Sequence, residues 1–588
     1  MSLLGLVRLL VLSTLSWLII LELLIFYKTT TFTDLVEFIQ QPYKETVNAY
    51  DVGLRSEHWD DVRIARLLQK QVRIHCLVYM DRSDFKSGSQ KAVHVRNSWG
   101  RRCNRLTIIN KRGITLLKAY RQTYVKFHDE LDWLLVVYLD SYVIMENLRY
   151  MLAQYPSSEE IYFSAQHDSY IYAHVGQVST TDYIFSHDAL EHLATRNCLQ
   201  NEFFFRECLK RIRKGPSERL LSLDIPGEVI PFSLRDDFWL WPCAFRAVYN
   251  NQSMESCFGG AIIYPYCCAI QMHILEFFLY HLRPYGHLSP LAELRSANFP
   301  IAIAHRPLND QLARHLYRSV KIICLVLTWP KKYKSAVKAI SETWGRHCNR
   351  VVYYGSSYKT ILPEVETVGL NVSDTRSNLW GKTKEAFRHS YKTYGHEADW
   401  FFKADDDTYA VMENMRKLLQ PYSSDTPIYF GSPFKLKDTL YMSGGAGYVL
   451  SKKAVKLLVL HADEKCKAGV EGTEDYQMGR CLRLLNVHAG DSRDLFGRHR
   501  FFSLSLGHFI IPGYDDEGFW LSDYLYQAIG EGMQCCSTYS ISMHNVSPYQ
   551  MHFLETILYK NRPYGVIAGH PPSRSSRKKG LGKQQYSL

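Results

Sequence analysis

Residues 9–27 form an almost unbroken apolar run. At about 1.5 Å per residue such a run crosses a hydrocarbon core of about 30 Å when nearly upright. Glu22 is its one charge; it would cost roughly 2.5 to 3.5 kcal/mol at mid-span, but it lies toward one end among many Leu and Ile. No small-residue cleavage site follows, and the run leads into Lys28-Thr29-Thr30-Thr31, which favours an uncleaved signal-anchor over a cleaved signal peptide. With Arg8 alone ahead of it, the pattern predicts a cytosolic tail (1–8), a transmembrane segment (9–27) and a lumenal body. Residues 28–70 read as a stem. Beyond them short apolar strands, beginning with 72–79 and 319–327, alternate with amphipathic helices. This alternation predicts an α/β fold with a mostly parallel sheet, whose ligands sit at the carboxyl ends of strands.

The plan occurs twice. Ser98-Trp99-Gly100-Arg101-Arg102-Cys103-Asn104 matches Thr343-Trp344-Gly345-Arg346-His347-Cys348-Asn349, and Arg283-Pro284-Tyr285-Gly286 matches Arg562-Pro563-Tyr564-Gly565. The boundaries this sets are a first domain at 71–287, a linker at 288–318, a second domain at 319–566 and a tail at 567–588. The copies differ at the end of one apolar strand: Phe402-Lys403-Ala404-Asp405-Asp406-Asp407-Thr408-Tyr409 in the second faces Leu135-Val136-Val137-Tyr138-Leu139-Asp140-Ser141-Tyr142 in the first. The offset between copies grows from 245 at Trp99/Trp344 to 267 at Asp132/Asp399, so the first has lost about 22 residues. The expected loss is most of the segment matching 351–375, a strand and loop near the base in a nucleotide-binding domain.

Composition supports two cores: 588 residues exceed one core, and 46% apolar content with 40 Tyr, 28 Phe and 11 Trp argues against widespread disorder. The net charge of +12 is spread along the chain; its cluster at Arg574, Arg577, Lys578 and Lys579 lies in a Ser/Gly tail read as solvated, not as a nucleic-acid site. Fourteen cysteines recur at matching places, with Cys76 and Cys103 answering Cys324 and Cys348, and Cys198 and Cys208 answering Cys466 and Cys481. Behind an anchor this reads as a disulfide framework in an oxidising compartment, against the plainer reading of buried free thiols. Asn251, Asn371 and Asn545 open glycosylation sequons.

Clustered carboxylates at the end of a buried strand repel one another unless a cation offsets them, so Asp405–Asp407 suit Mn²⁺ or Mg²⁺ bridging to a diphosphate. Met442-Ser443-Gly444-Gly445-Ala446-Gly447 lets backbone approach a sugar or phosphate. Glu474-Asp475 opens a helical stretch where a carboxylate suits a general base. Taken singly, each feature has a blander counterpart: a solvated acidic turn, a glycine turn, helix capping, and for His544 a structural histidine.

The ordered set of Trp344, Leu379-Trp380-Gly381-Lys382-Thr383, the acidic triplet, the glycine run, Glu474-Asp475, Gly490-Asp491-Ser492-Arg493-Asp494, Cys535-Cys536 and Arg562-Pro563-Tyr564-Gly565 resembles the core 1 β1,3-galactosyltransferase (T-synthase) family of the family-31 glycosyltransferases. The resemblance spans 319–566. It implies two tandem GT-A-like domains, the first degenerate, and inverting transfer of galactose from UDP-galactose, with Mn²⁺ (or Mg²⁺), to the 3-hydroxyl of GalNAc on a glycoprotein. By position it implies Asp405, Asp407 and His544 as metal ligands, Asp475 as catalytic base, Trp520 against the acceptor sugar, and Thr328, Lys382 and Asp405 to Asp407 around the nucleotide. It further implies a single-pass type II membrane protein of the Golgi, with the ER as the alternative, and allows a homodimer; with the tail read as solvated, no nucleic-acid partner is expected. Asp516-Glu517-Gly518 and Leu521-Ser522-Asp523 depart from the family's aromatic-rich run at the acceptor, and a glycan on Asn545 would crowd His544, so Asn545 is expected unmodified. The first half, with Tyr138 and Leu139 facing Asp405 and Asp406, Glu202 facing Asp475 and Pro265 facing His544, resembles the family's non-catalytic chaperone member. Rival expectations are a pseudoenzyme using both halves as binding surfaces, and a β1,3-transferase with another donor sugar.

Overall fold

The computed structural model describes residues 60–79, 88–109, 115–166, 181–215, 263–264, 269–286, 310–329, 332–356, 364–466, 473–511, 520–530, 532–559 and 563–568. The expected anchor, most of the stem and linker, and all of the tail except Ile567–Ala568 lie outside these residues. Among the described residues no helix is long and apolar enough to cross a membrane.

The C-terminal half is built on a seven-stranded sheet in the order Thr367–Gly369, Arg350–Gly355, Ile322–Leu327, Trp400–Asp405, Tyr448–Ser451, Ile428–Gly431, His488–Ala489. The first four strands run parallel and Tyr448–Ser451 runs against both its neighbours. Ile322–Leu327 is buried at every position, as a central strand covered on both faces must be, which explains its continuous apolar reading. Helix Leu379–Tyr394 packs on helices Lys452–Lys465 and Glu474–Leu484 on one face.

The N-terminal half repeats this sheet with six strands: Arg105–Ile109, Ile74–Tyr79, Trp133–Tyr138, Thr181–Ser186, Ile161–Gln166, Arg213–Lys214. The pairing directions match strand for strand, with Thr181–Ser186 as the reversed member. The deletion is therefore narrower than its length suggests. Strand Arg105–Ile109 is the counterpart of Arg350–Gly355 and is retained; among the described residues, what the six-stranded sheet lacks is a counterpart of the edge strand Thr367–Gly369. An edge strand has one neighbour, so its removal leaves the remaining ladder intact.

Both halves also keep one buried polar cluster. Arg102 pairs with Glu276 at 2.6 Å and approaches Glu146 at 3.6 Å, while Tyr142 donates to Glu276 and Tyr280 to Glu146. In the C-terminal half His347 pairs with Glu413 at 2.9 Å and Glu555 at 3.2 Å, and Tyr409 and Tyr559 donate to the same glutamates. Buried carboxylates need such partners, and the shared signature supplies them. Disulfides Cys76–Cys103, Cys198–Cys208, Cys324–Cys348, Cys466–Cys481 and Cys535–Cys536 are present.

Three boundaries differ from the sequence expectation, the last at strand Ile567–Ala568 inside the span read as tail. Helix Arg63–Gln71 lies within the span read as stem and buries Ala65 and Leu68; helix Gln311–Ser319 lies within the span read as linker and buries Leu316. Each has a single apolar stripe on a strongly polar helix, a faint signal that only packing turns into structure. Asp60–Asp61 pairs antiparallel with Ile567–Ala568, so the two ends of the described chain meet, and one continuous apolar cluster draws on both halves.

Candidate active site

Strand Trp400–Asp405 carries Asp405 to its carboxyl end, and the chain then turns through Asp406 and Asp407 into the short strand Tyr409–Ala410. That strand pairs with Ser542–Met543, which also pairs with Phe501–Phe502. This small second sheet delivers His544 from far along the chain. Asp405, Asp407 and His544 each offer one ligand atom, all within 4.8 Å of one another. Two carboxylates and an imidazole form a donor set that suits Mn²⁺. His544 Nε2 lies 3.2 Å from Asp407 Oδ1, and its Nδ1 lies 3.0 Å from Ser503 O. A carbonyl only accepts, so Nδ1 carries a proton and Nε2 is the ring nitrogen turned to the carboxylates, donating to Asp407 when protonated and free to ligate a cation when not. Burial pushes the imidazole pKa down, but the Asp407 carboxylate outweighs it and holds the ring above its ordinary value; His544 in turn holds Asp407 low against the upward push of burial.

Asp406 turns aside from this trio. It accepts the Thr328 hydroxyl at 2.9 Å and faces Lys332 at 3.5 Å, and burial pushes its carboxyl up to about 6. Lys382 is buried, its ammonium shared by Thr328 O and Asp374. Thr328, Lys382 and Asp406 thus join one hydrogen-bonded chain anchored by Asp374. Lys382 braces that wall, with its charge matched by a carboxylate. Asp374 and Lys332 were not singled out in the sequence; both follow loops where spacing carries no signal.

Behind the trio lies Lys403, which is fully buried and donates to Asp405 Oδ1 at 2.7 Å and Gly444 O at 3.3 Å, with Glu474 Oε2 at 3.6 Å. Burial pushes its pKa down, but Asp405 and Glu474 more than reverse this and keep it charged. Glu474, whose carboxyl burial pushes up, also receives the Tyr448 hydroxyl. Lys403 faces Val136 in the other half, judged by the matching registers Leu325↔Lys403 and Leu77↔Val136. A polar residue in an otherwise apolar strand was the available clue.

The Glu474-Asp475 pair divides its work. Glu474 points into the core, whereas Asp475 Oδ2 accepts the Gly444 N–H at 3.0 Å and Oδ1 accepts its own helix's Tyr476 N–H at 2.9 Å. The glycine run brings backbone against these side chains: Thr408 donates to Gly445 O at 2.9 Å, and a Cβ on Gly445 would lie 2.4 Å from His544 Nδ1. Trp520 is 47% exposed. A chain of ring contacts runs from Trp520 through Tyr524, Phe434 and Tyr441 to Tyr476, at centroid distances of 5.6 to 6.3 Å, and so connects it to the residue beside Asp475. At the matching strand end of the N-terminal half Leu139 is fully buried and Tyr138 N–H donates to Asp182 at 3.3 Å.

Residues 318–501 match the Fringe-like family. Over 301 residues, half of this chain, the sequence is 36% identical to glycoprotein-N-acetylgalactosamine 3-beta-galactosyltransferase 1 of Xenopus laevis, covering 80% of that protein. The chain belongs to the family-31 β1,3-glycosyltransferases. More distant members are a beta-1,3-glucosyltransferase of Mus musculus, 26% identical over 28% of this chain and 34% of its own length, and the human chondroitin sulfate glucuronyltransferase, 26% identical over 28% of this chain and 21% of its own length. This glycosyltransferase carries its acidic triplet within the matched segment.

Proposed function

We propose that the C-terminal half transfers galactose from UDP-galactose to the 3-hydroxyl of O-linked GalNAc on glycoproteins, and that the N-terminal half is a tandem, degenerate GT-A-like copy. The observation that carries the reading is the convergence of Asp405, Asp407 and His544 on one point beside Asp475's helix. These three residues would hold Mn²⁺, with Mg²⁺ as the alternative. When bound, the cation supplies Lewis-acid neutralisation of charge on the leaving diphosphate. Asp475 takes the proton from the acceptor 3-hydroxyl as its oxygen bonds to the sugar's C1 and the bond from C1 to the UDP oxygen breaks, the electron pair leaving with UDP. The Gly444 N–H holds that carboxylate in place. Asp406, with Thr328 and Lys382, shapes the nucleotide side, and Trp520 presents an exposed aromatic face to the apolar side of GalNAc.

A single-pass type II Golgi membrane setting, with a GalNAc-bearing glycoprotein as acceptor, and homodimerisation belong to the same proposal. A second reading, transfer of a different sugar, is favoured by relatives named for glucosyl and glucuronyl transfer. Transfer from a panel of UDP-sugars to a GalNAc peptide, with and without Mn²⁺, separates the two. Asp407→Ala is expected to abolish metal-stimulated transfer, and Asp475→Asn to lower kcat with little effect on donor KM. Absence of transfer by the wild type across donors and acceptors would overturn both readings.

A further inference from the structure

The segment carrying His544 is held by contacts to the N-terminal half on its upstream side and shares a cavity with that half on its downstream side. Upstream of the histidine, Arg283 N–H donates to Thr538 O at 2.9 Å and the Tyr285 ring meets Tyr539 edge-on at 5.3 Å. Tyr285 N–H also donates to Asn414 Oδ1 at 2.9 Å, and Asn414 Nδ2 donates to Ser540 O at 2.7 Å. The Lys417 ammonium lies over both tyrosine rings, 5.4 Å from Tyr285 and 4.4 Å from Tyr539. Asn414 and Lys417 belong to helix Met412–Leu419, which follows the carboxylate turn. Residues 283–285 therefore span the two stretches of backbone that supply the ligands, one leading from Asp405 and Asp407 and one leading to His544. Downstream, Asn545 and Val546 line a mainly apolar cavity whose other wall is Gln271, Ile274 and Phe278 of the N-terminal half.

The grip has a mirror image. Tyr564 N–H donates to Asn147 Oδ1 at 2.9 Å, and its ring lies 3.9 Å from that of Tyr150. The same Arg-Pro-Tyr-Gly tail thus crosses from each half to the same asparagine of the other, and each tail glycine abuts the partner half's first helix, Gly286 against Leu312 and Ala313, Gly565 against Ile64 and Ala65. Among the described residues, only the exchange that runs through Tyr285 reaches a cluster of three carboxylates.

We propose that the N-terminal half is a built-in positioning subunit for the metal site: Tyr285, with Phe278, fixes the approach of the His544 arm to Asp405 and Asp407. The inference rests on the reading of that trio as a cation site. Ligands from separate segments bind well when their supports hold them in place beforehand, since backbone freedom otherwise has to be lost as the cation binds. This assigns the degenerate half a reason for its retention that needs no chemistry of its own. Tyr285 and Phe278 are positioning residues, not catalytic ones.

The test is calorimetric titration of MnCl₂ into the full chain without donor, alongside thermal unfolding. Tyr285→Ala is expected to weaken Mn²⁺ binding about tenfold, as loss of an outer support does at other metal sites. Tyr285→Phe, which keeps the ring, is expected to retain wild-type affinity. Tyr564→Ala breaks the mirror contact and is expected to lower Tm comparably while leaving Mn²⁺ affinity unchanged. Should Tyr285→Ala fail to fold, Phe278→Leu replaces it, with the same direction of change expected. Wild-type affinity in Tyr285→Ala, or equal weakening in Tyr285→Ala and Tyr564→Ala, overturns the inference. A wild type whose Mn²⁺ titration is indistinguishable from that of Asp407→Ala overturns the cation-site reading itself, and the inference with it.

Discussion

Gly445→Ala is a one-carbon test of the histidine arm. The added Cβ would stand 2.4 Å from His544 Nδ1, 2.5 Å from Cε1 and 2.8 Å from Cγ. The backbone at Gly445 is not in the left-handed region, so alanine brings no strain of its own there. The conflict is with the ring, which must withdraw by about 1 Å to reach ordinary contact near 3.4 Å. It has little room to do so in place, because Nδ1 is held at 3.0 Å by Ser503 O and the following Val546 N–H is bonded to Asp407 O at 2.8 Å. A displacement of this size breaks the alignment of Nε2 with Asp407. Mn²⁺ affinity is expected to fall about 10- to 100-fold, and transfer at limiting Mn²⁺ about 100-fold. At saturating Mn²⁺ much of the activity is expected to return. Gly381→Ala is the matched control: its nearest neighbour would be Val372 Cγ1 at 3.8 Å, and in the first turn of helix Leu379–Tyr394 the change is expected to stabilise by less than about 1 kcal/mol without altering metal binding. The assay is Mn²⁺ titration followed both by calorimetry and by transfer rate. A Gly445→Ala protein that binds Mn²⁺ as the wild type does would refute the placement of His544 among the ligands.

His347 makes stability depend on pH. Burial pushes its imidazole down, but Glu413 and Glu555 prevail and raise it to about 10 from an ordinary 6.5, while the same pairing depresses both glutamates against their burial. A raised folded-state pKa stabilises fully below about 6.5 and is lost as pH rises toward 10; the depressed glutamates stabilise above their ordinary range and lose this in acid. Stability is expected to fall by on the order of 5 kcal/mol between pH 6.5 and 10. His347→Arg, which restores the residue that stands at Arg102 in the other half, is expected to flatten that alkaline limb in urea unfolding; an unchanged slope would count against the pairing. Trp520→Ala is expected to raise KM for a GalNAc peptide severalfold with donor KM unchanged, as loss of one stacking face does; an equal rise for both substrates would place Trp520 outside the acceptor side.

Much was legible in the chain because it is written locally. The apolar runs located the strands at 74–79, 133–138, 322–327 and 400–405, the two signatures drew attention to two similarly ordered sheets, and the carboxylates of the acidic triplet do fall at the end of one strand. Strand ends and paired cysteine spacings depend on neighbouring residues, and their physics survives in one dimension. The tertiary structure decided the rest. It folded His544 back onto Asp407, turned Asp406 toward Thr328, matched Lys382 with Asp374 and buried Lys403 between Asp405 and Glu474. It also crossed the two Arg-Pro-Tyr-Gly tails between the halves, so that a half without the triplet holds the arm of the half that has it. Each of these is a contact between residues remote in sequence, whose partners are chosen by how sheets pack and which charges must be matched once water is excluded. Spacing along a chain carries no record of that choice.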